Sequence, residues 1–570
     1  MKPTRKKQPV KPVKGQKGAR SQAKKESRDL FESIESILSK NAVGFLVITL
    51  SLASLFGVLL FDVKISEGND DALYIEGGYN YATNFTNYFF TANAPMYPMF
   101  LGLLISIFGI NLILFKVISL LFFVGHIYFL FKAFSGKVPN LLLWAILLLV
   151  SVNSYFLYYA SQTYTESMFV FLQALFIYQI SKVIDIKPGE SWKPERVKPF
   201  LLLGLFAFLI TWCKSVALAG VMALAFLFLV HGNWKKLVWF LSSFALFKGG
   251  YEMIKAVMWG EMAKSGQADT LFLKDPYNAA KGKETLSGFV TRFFSNMDLY
   301  VSKRMFQILG FKDPENIDTS AFISWLVFGL MVLALYFIIK NRKKLLEFIT
   351  YHTLAVCAIT FIVLQTRWDQ PRLVMIVVPF IVMVSLYGLY SIFKKTGWVG
   401  QFSYLIFISM IVVSSFLVTT KKSASNFPVL KKNLGGDVFH GYTNDWQNYL
   451  KMSRWCSENL PEGSYVAARK APMSFVYGNG MKFFPVYNVI AIDTTTNLAN
   501  PDSVLATFQR EGVTHAMIAN LRRNPKQVTQ FVINTMHRTL QPVARKYPDK
   551  LTLVKQIGDS EPAYLYKINY

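Results

Sequence analysis

Residues Ala42–Phe61, with the sequence AVGFLVITLSLASLFGVLLF, are the clearest indication of the architecture of this chain. The run has no charged side chain and is about as long as an α-helix must be to cross the hydrocarbon core of a bilayer, roughly 20 residues. The whole chain has the same character, because 53% of its 570 residues are hydrophobic and only 17% are charged. Soluble domains carry about 25% charged residues. The sequence therefore predicts an α-helical polytopic membrane protein.

Further apolar runs follow the first. One of them, Pro95–Ile110, is short and is broken by Gly109. If this run lies along the interface without crossing, the basic turns fall on the cytoplasmic side, where short loops rich in Lys and Arg belong. We then expect the amino terminus inside, the carboxyl terminus outside and eleven spans: Ala42–Phe61, Leu112–Phe131, Asn140–Leu157, Glu166–Ile184, Phe200–Cys213, Val216–Val230, Leu237–Met258, Ala321–Ile339, Phe348–Leu364, Leu373–Phe393 and Val399–Thr419.

These spans divide the chain into three predicted parts. Residues 1–40 are predicted to be a basic, disordered cytoplasmic tail, and a tail in this position is expected to contact anionic lipid and not nucleic acid. Residues 41–419 are the predicted transmembrane domain, with outer loops at 62–111 and 259–320. Residues 420–570 predict a small extracytoplasmic α/β domain, with strands at Tyr465–Ala468, Val489–Ile492, His515–Ala519 and Ala563–Ile568 and helices at Trp446–Asn459, Pro501–Glu511 and Pro525–Leu540.

Several kinds of site are absent from the sequence. It has no P-loop, no G-x-G-x-x-G after a strand and no H-E-x-x-H, and its predicted cytoplasmic turns are too short for a nucleotide-binding domain. The three cysteines, Cys213, Cys357 and Cys456, give no disulfide framework or C-x-x-C site. The six histidines share no zinc-ligand spacing. These observations argue against an ATP-driven pump within this chain.

Two adjacent carboxylates, Asp70 and Asp71, follow the first span in the sequence GNDDALY. At a membrane surface they repel each other, which raises the pKa of at least one of them unless a cation or proton lies between them. Such a group can serve as a general base or a metal ligand. The alternative is a solvated acidic loop. Tyr74 closes this motif and is a candidate substrate-binding residue.

Three further motifs are predicted to lie on the same side of the membrane. The sequence NAPMYP, which contains Tyr97, opens the interfacial segment with two helix-starting prolines. Glu166 stands in the first turn of a predicted span, where it is a candidate site residue or a simple helix cap. The turn RWDQPR contains Arg367 and Arg372, either of which can bind a phosphate or extend to the lipid headgroups.

The order of these motifs along residues 40–395 resembles the GT-C glycosyltransferases. Within this group the sequence most resembles the protein mannosyltransferases and aminoarabinose transferases, and so resembles glycosyltransferase family 39. That family commonly has Asp-Glu where this chain has Asp70-Asp71. It often has His-Pro-Pro where this chain has Ala94-Pro95-Met96.

The resemblance implies an inverting transfer of a sugar from a polyprenyl-phosphate donor to a protein, lipid or glycan acceptor. This would occur on the extracytoplasmic face of a bacterial cytoplasmic membrane. Asp70 matches the catalytic base of the family. Asp71 and Glu166 would orient the acceptor or hold a divalent cation such as Mg²⁺ or Mn²⁺. Arg372 would neutralise the departing lipid phosphate, and weaker candidates for that role are Lys214, Arg292, Lys303 and Arg304.

Two other classes of function stay open at this point. A secondary transporter places charged residues near the bilayer midplane, often within inverted repeats. Here the acids of interest lie in outer loops, the indications of a site at depth are Lys214 and His352, which lie near the ends of predicted spans, and no repeat is visible. A non-catalytic membrane assembly protein would use the terminal domain to bind partners. In that domain Arg469 and Lys470 are expected to lie on a solvated face, and the alternative is contact with an anionic acceptor.

Overall fold

The structure, a computed structural model, describes residues 29–187, 197–264, 271–275, 281–311, 318–493, 495–522 and 532–570. Its membrane part is built from helices. The helices before the terminal sheet are Leu30–Lys40, Ala42–Leu59, Asp70–Asn84, Met96–Phe108, Leu112–Phe134, Asn140–Ser151, Ser154–Ala160, Thr165–Val183, Val197–Cys213, Leu218–Val230, Trp234–Met258, Leu286–Met297, Met305–Ile308, Ala321–Lys340, Lys344–Val363, Arg372–Met375, Val378–Phe393 and Trp398–Leu434.

Five of these helices are long and apolar enough to cross a membrane, or six if one bent pair is a single span. Apolar side chains on them face outward: Val43, Leu121 and Phe322 are 75%, 63% and 76% exposed. An apolar surface of this kind indicates contact with lipid. The protein is therefore an integral membrane protein. Four shorter apolar helices accompany these spans: Met96–Phe108, Val197–Cys213, Ser215–Val230 and Val378–Phe393.

Two predicted spans are interrupted. The predicted span Asn140–Leu157 consists of two helices that are bent by 59°. Asn153 lies at the bend, and its side chain caps the second helix by accepting a hydrogen bond from the Tyr155 amide at 3.0 Å. The predicted span Leu373–Phe393 consists of a short helix, Arg372–Met375, followed by Val378–Phe393. The second break carries Ile376, which lines the cavity described below.

Helical structure extends past the predicted borders at residues 40 and 419. Most of the basic tail lies outside the described residues, but Leu30–Lys40 is a helix. Its Phe31 is buried against the rings of Tyr390 and Tyr404. The last predicted span continues as one helix to Leu434. The helical segments thus reach beyond the apolar runs of the sequence, because such a run shows only which part of a helix can face lipid and not where the helix begins or ends.

A helix that the sequence did not predict, Asp70–Asn84, crosses Met96–Phe108 at very close range. The crossing depends on glycine. A Cβ atom on Gly102 would lie 2.9 Å from the carbonyl oxygen of Gly78, and one on Gly78 would lie 3.1 Å from the Gly102 nitrogen. Only residues without a side chain allow this approach. The crossing holds the Asp70–Asn84 helix against the membrane part.

A buried lysine ties the first loop to the helix bundle. Lys116 is fully buried and its Nζ lies 2.8 Å from Asp62 Oδ1. The same amine donates hydrogen bonds to the Lys64 carbonyl at 2.5 Å and to Gln162 Oε1 at 2.9 Å. A buried cation requires such a complete set of partners. Lys116 therefore has a structural role that sets the position of residues 62–64.

We expect Lys116→Met to destabilise the protein by about 3–5 kcal/mol, because it leaves the buried Asp62 carboxylate without its main partner. A fall in the melting temperature of the detergent-solubilised protein measures the effect. The double variant Asp62→Asn/Lys116→Met should recover most of the loss, since it removes both charges. Equal stability of Lys116→Met and wild type would contradict the structural role.

The C-terminal part contains a five-stranded sheet. Its strands are β1 (Val466–Ala468), β2 (Phe483–Pro485), β3 (His515–Ile518), β6 (Leu551–Ile557) and β7 (Ala563–Ile568), in the order β2-β1-β3-β7-β6. Strands β2, β1 and β3 are parallel, and β7 pairs antiparallel with β3 and β6. Two short strands, β4 (Leu521–Arg522) and β5 (Val532–Ile533), form a separate pair. The helices around the sheets are Asn444–Asn459, Ala471–Tyr477, Val486–Val489, Pro501–Arg510 and Thr535–Lys546.

The sequence located three of these strands and missed others. The predicted strand Val489–Ile492 is wrong, because Val486–Val489 is a short helix. The neighbouring strand is Phe483–Pro485, whose period-two pattern is too short to be recognised. The predicted helix Pro525–Leu540 begins outside the described residues, and the described helix is Thr535–Lys546.

Candidate functional site

A cavity of about 1430 Å³ lies where the predicted outer loops meet. Its walls come from the loop before the Asp70–Asn84 helix, from residues 158–166, from the break around Lys214 and from residues 368–376. Five of the predicted site residues line it: Asp70, Tyr74, Glu166, Lys214 and Arg372. Segments that are up to about 300 positions apart in the sequence thus form one pocket.

Asp70 is paired with Arg372. The guanidinium donates a hydrogen bond to Asp70 Oδ2, and its Nε donates a second hydrogen bond to Gln370 Oε1 at 2.8 Å. Asp70 is the first residue of its helix, which follows Asn69 in a left-handed conformation with φ of 76°. This placement points the carboxylate into the cavity at a helix amino terminus, where the helix dipole favours a negative charge.

Glu166 is paired with Lys214 in the same way. The Lys214 Nζ lies 2.8 Å from Glu166 Oε1, and Glu166 is only 3% exposed. Lys214 has an extended backbone between two helices, so its side chain leaves the helix bundle and enters the cavity. Arg372 is also close enough to Glu166 to interact with it electrostatically. Asp70, Arg372, Glu166 and Lys214 thus form a cluster of alternating charge in the cavity, whose lining also includes Asp62, Lys64 and Glu67.

Asp71 does not share this position. Its side chain is completely buried and accepts hydrogen bonds from the Ser66 amide at 2.7 Å and the Ser66 hydroxyl at 3.0 Å. The same hydroxyl contacts the Tyr164 hydroxyl at 2.5 Å. Asp71 is therefore a group that positions the loop before Asp70, on the side away from the cavity.

Burial raises the pKa of Asp71 to about 6, although the Ser66 hydrogen bonds act in the opposite direction. The unfolded value is about 3.9, so between these pH values the folded state binds a proton that the unfolded state lacks. The resulting stabilisation is complete below about pH 4 and is lost as the pH rises through about 6. Its full size is about 3 kcal/mol.

Asparagine at position 71 does not titrate. We therefore expect the stability of Asp71→Asn, relative to wild type, to improve by up to about 3 kcal/mol as the pH rises from 4 to 7. The difference in melting temperature between the two detergent-solubilised proteins, followed over this range, measures it. A difference that does not change with pH would contradict the buried, titrating carboxylate.

The two predicted tyrosines have different positions. Tyr74 lines the cavity, whereas Tyr97 is 2% exposed and lies behind it. The two rings meet edge to face with centroids 5.6 Å apart. Tyr97 thus supports Tyr74 and is not itself on the cavity wall. A third ring, Tyr164, was not predicted; the Arg372 guanidinium lies 5.3 Å from its centroid.

The remaining predicted cations lie elsewhere. The backbone of Arg367 belongs to the turn Thr366–Trp368, and its side chain is outside the described part of the structure. Arg292 is bound to Glu284 at 2.8 Å and Arg304 to Asp369 at 2.5 Å. Neither they nor Lys303 belong to the described residues that line the cavity.

One wall of the cavity is apolar. Leu218, Ile359 and Val363, which stand on helices of the membrane part, contribute to it together with Ile376 at the break after Met375. The charged groups line the same cavity. The site therefore combines a polar chamber with a surface suited to a hydrocarbon chain.

No protein-family model and no curated protein matches this chain. Solved structures do. ArnT from Cupriavidus metallidurans, bound to undecaprenyl phosphate, is 10% identical and aligns over 92% of this chain and 98% of its own, with a TM-score of 0.54. The archaeal oligosaccharyltransferase AglB from Archaeoglobus fulgidus, in complex with an inhibitory peptide and a dolichol-phosphate, is 11% identical over 84% of this chain and 70% of its own, with a TM-score of 0.52. The Archaeoglobus fulgidus oligosaccharyltransferase in complex with Zn and sulfate is 12% identical over 83% of this chain and 68% of its own, with a TM-score of 0.51.

The chain shares its fold with ArnT and AglB. At these identities the likeness concerns the fold alone, and it agrees with the helical membrane architecture that the sequence predicted. It also supports the helical membrane class, because the alignment with ArnT covers nearly the whole of both chains.

The predicted cation ligands do not fit a shared metal site. Asp71 is turned away from the cavity and bonded to Ser66, while Glu166 is bonded to Lys214. Within the part of the chain that the structure describes, no three His, Cys, Asp or Glu side chains are grouped as metal ligands. A divalent cation between Asp71 and Glu166 would need a different arrangement of both side chains.

Lys470 was predicted on a solvated face, and this is wrong. Its Nζ donates a hydrogen bond to the Glu67 carbonyl at 2.8 Å. Burial of the amine lowers the pKa of Lys470 to about 8, and the positive charge of the nearby Arg469 acts in the same direction.

Two tyrosines of the C-terminal part also bind the loop that precedes the Asp70–Asn84 helix. The Tyr442 hydroxyl donates to the Ile65 carbonyl. The Tyr477 hydroxyl accepts a hydrogen bond from the Ile65 amide at 3.4 Å and lies 3.1 Å from the Tyr442 hydroxyl. No local pattern in the sequence points to these contacts.

Proposed function

We propose that this protein is a membrane glycosyltransferase that transfers a sugar from a polyprenyl-phosphate donor to an acceptor hydroxyl. The proposal depends above all on one observation, that Asp70, Arg372, Glu166 and Lys214 face one cavity with an apolar wall. The fold likeness supports it, since ArnT was solved with undecaprenyl phosphate and AglB with a dolichol-phosphate.

The donor phosphate would bind Arg372 and Lys214. A guanidinium can bind a phosphate through two parallel hydrogen bonds, and the lysine adds a second positive charge. Glu166 holds Lys214 in place through a 2.8 Å contact. The polyprenyl chain would lie along the apolar wall formed by Leu218, Ile359 and Val363. The sugar would then occupy the region near Asp70 and Tyr74.

In the reaction, the acceptor oxygen forms a bond to the anomeric carbon while the bond from that carbon to the phosphate oxygen breaks. Asp70 takes the proton of the acceptor hydroxyl. The departing polyprenyl phosphate keeps the electron pair, and Arg372 and Lys214 stabilise its growing negative charge. Attack from the side opposite the leaving group inverts the anomeric configuration.

The pairing of Asp70 with Arg372 suggests how binding and catalysis are linked. A phosphate that binds the guanidinium competes with the carboxylate for the same donors. Donor binding would therefore release Asp70 to accept a hydrogen bond from the acceptor hydroxyl. In this scheme the base becomes available only when the donor phosphate is in place.

The topology belongs to the same proposal. We infer about eleven spans in a bacterial cytoplasmic membrane, with the amino terminus inside and the carboxyl terminus outside, and the cavity open to the extracytoplasmic face. Residues 41–419, extended by the helix to Leu434, would form the catalytic membrane domain. The C-terminal part would then cover the cavity from the outer side.

The proposal can be tested with the purified protein in proteoliposomes that contain a polyprenyl-phosphate-linked hexose or pentose. We expect release of free polyprenyl phosphate, with water or an added alcohol as the acceptor of the sugar, and thin-layer chromatography measures the released lipid. Empty liposomes and heat-inactivated protein are the controls. Solute flux across the liposome membrane without any donor turnover would overturn the proposal in favour of a transporter.

A further inference from the structure

The C-terminal part contains a second cavity, of about 500 Å³. It lies beside the carboxyl end of β3, which Asn520 follows by two residues. In sheets with parallel strands this edge is where ligands bind, because loops and helix ends converge there. The other walls are the loop Thr496–Leu498 and one face of the Thr535–Lys546 helix. We refer to this cavity as the polar crevice.

The helix Thr535–Lys546 is divided sharply between two environments. Met536, Leu540 and Val543 are buried in the core of the C-terminal part. The opposite face presents Arg538 and Arg545 to the polar crevice, together with Asn534, His537 and Gln541. None of the described residues that line the crevice is acidic. The described lining of the crevice therefore carries a net positive charge, and the carboxylate of Asp493 behind it is bonded to Thr496.

Two nitrogen atoms in the crevice are buried without a hydrogen-bond partner among the described residues. They are His537 Nδ1 and Arg538 Nε. Buried polar atoms are nearly always hydrogen-bonded in folded proteins, and leaving a buried donor unpaired destabilises the fold. Such atoms on the wall of a polar cavity indicate a ligand that supplies the partner.

The other lining groups indicate the chemistry of that ligand. Carboxamides of Asn497, Asn520, Asn534 and Gln541 face the crevice, and each amide offers a donor and an acceptor side by side. This combination suits adjacent hydroxyl groups. The two guanidinium groups suit a phosphate or a carboxylate. We propose that the polar crevice binds an anionic carbohydrate.

The crevice is joined to the main cavity by two adjacent residues. Arg469 Nε donates a hydrogen bond to Thr535 Oγ1 at 2.9 Å, at the start of the crevice helix. Its neighbour Lys470 binds the Glu67 carbonyl, three residues before Asp70. An anionic glycan held in the crevice would thus be an acceptor for the main site, a role that rests on the function proposed above.

Binding is tested without any donor, so that the result is independent of turnover. The probe is a fluorescently labelled oligogalacturonate, which carries adjacent hydroxyl groups and carboxylates; it is applied to the full-length protein in neutral-lipid nanodiscs, and binding is measured by thermophoresis. We expect saturable, salt-sensitive binding that a neutral dextran oligomer of equal length does not show. Arg538→Gln/Arg545→Gln should weaken binding by about tenfold or more, since charged hydrogen bonds are lost.

Arg510→Gln is the matched control, because Arg510 is exposed and paired with Glu511 outside the crevice. It should bind the probe like wild type. If the double variant fails to fold, Arg545→Glu alone reverses one exposed charge and should weaken binding as well. The proposal is overturned if wild type does not bind, if the crevice variants bind normally, or if an oligonucleotide of equal charge binds equally well. Donor release, measured separately, tests the transferase proposal alone.

Discussion

Asp70→Asn is expected to leave the protein folded and to lower sugar transfer by about 10²- to 10⁴-fold, the usual contribution of a general base. Asparagine has nearly the same shape and can still accept a hydrogen bond from Arg372, but it cannot take a proton at neutral pH. Loss of kcat with an unchanged melting temperature, measured by release of polyprenyl phosphate in proteoliposomes, is the expected result.

The matched control is Asp549→Asn, which removes the same charge from an exposed position. Its transfer rate should stay within about twofold of wild type, as expected of a surface change. Both variants remove one negative charge, so a difference between their transfer rates reports the position of the lost charge and not the change in net charge. If Asp70→Asn turned over donor as fast as wild type, Asp70 would not be the base.

Arg372→Gln is expected to lower kcat/KM for the donor by about 10²- to 10³-fold, the cost of losing one donor to a developing negative charge. Glutamine keeps hydrogen-bonding capacity but has no charge. Because Arg372 would bind the phosphate in the ground state as well, KM for the donor should rise while kcat falls. Steady-state kinetics over a range of donor concentrations distinguish the two effects.

Arg372→Lys should be intermediate, since a lysine keeps the charge and loses the planar, two-pronged geometry. Arg510→Gln serves again as the charge-matched control and should behave as wild type. If Arg372→Gln changed only the KM of the acceptor, the guanidinium would contact the acceptor and not the phosphate. The leaving-group role would then have to move to Lys214.

Several features of the site could be predicted from the sequence because they depend on residue type and local order. An acidic pair after a span, a Glu at the start of a helix and an Arg after a Pro are visible as motifs, and the helix ends place them near one another. Lys214 was a weaker candidate. Its role became clear only because the chain is extended there, between two helices.

Other features could not be predicted, because they depend on which atoms meet across long sequence separations. Asp70 and Asp71 look equivalent in the sequence, yet one faces the cavity and the other is buried against Ser66. Adjacent residues in the first turn of a helix point in directions about 100° apart. The direction of each depends on what packs around the helix.

Composition and apolar run length alone establish that this chain is a helical membrane protein, since burying twenty consecutive apolar residues in lipid outweighs any local preference. Tertiary structure decides the rest. It selects which of the charged groups share a cavity, joins Lys470 to the loop before Asp70, and creates the polar crevice. These contacts are between segments far apart in the chain, and their geometry depends on packing, which no local pattern of residues encodes.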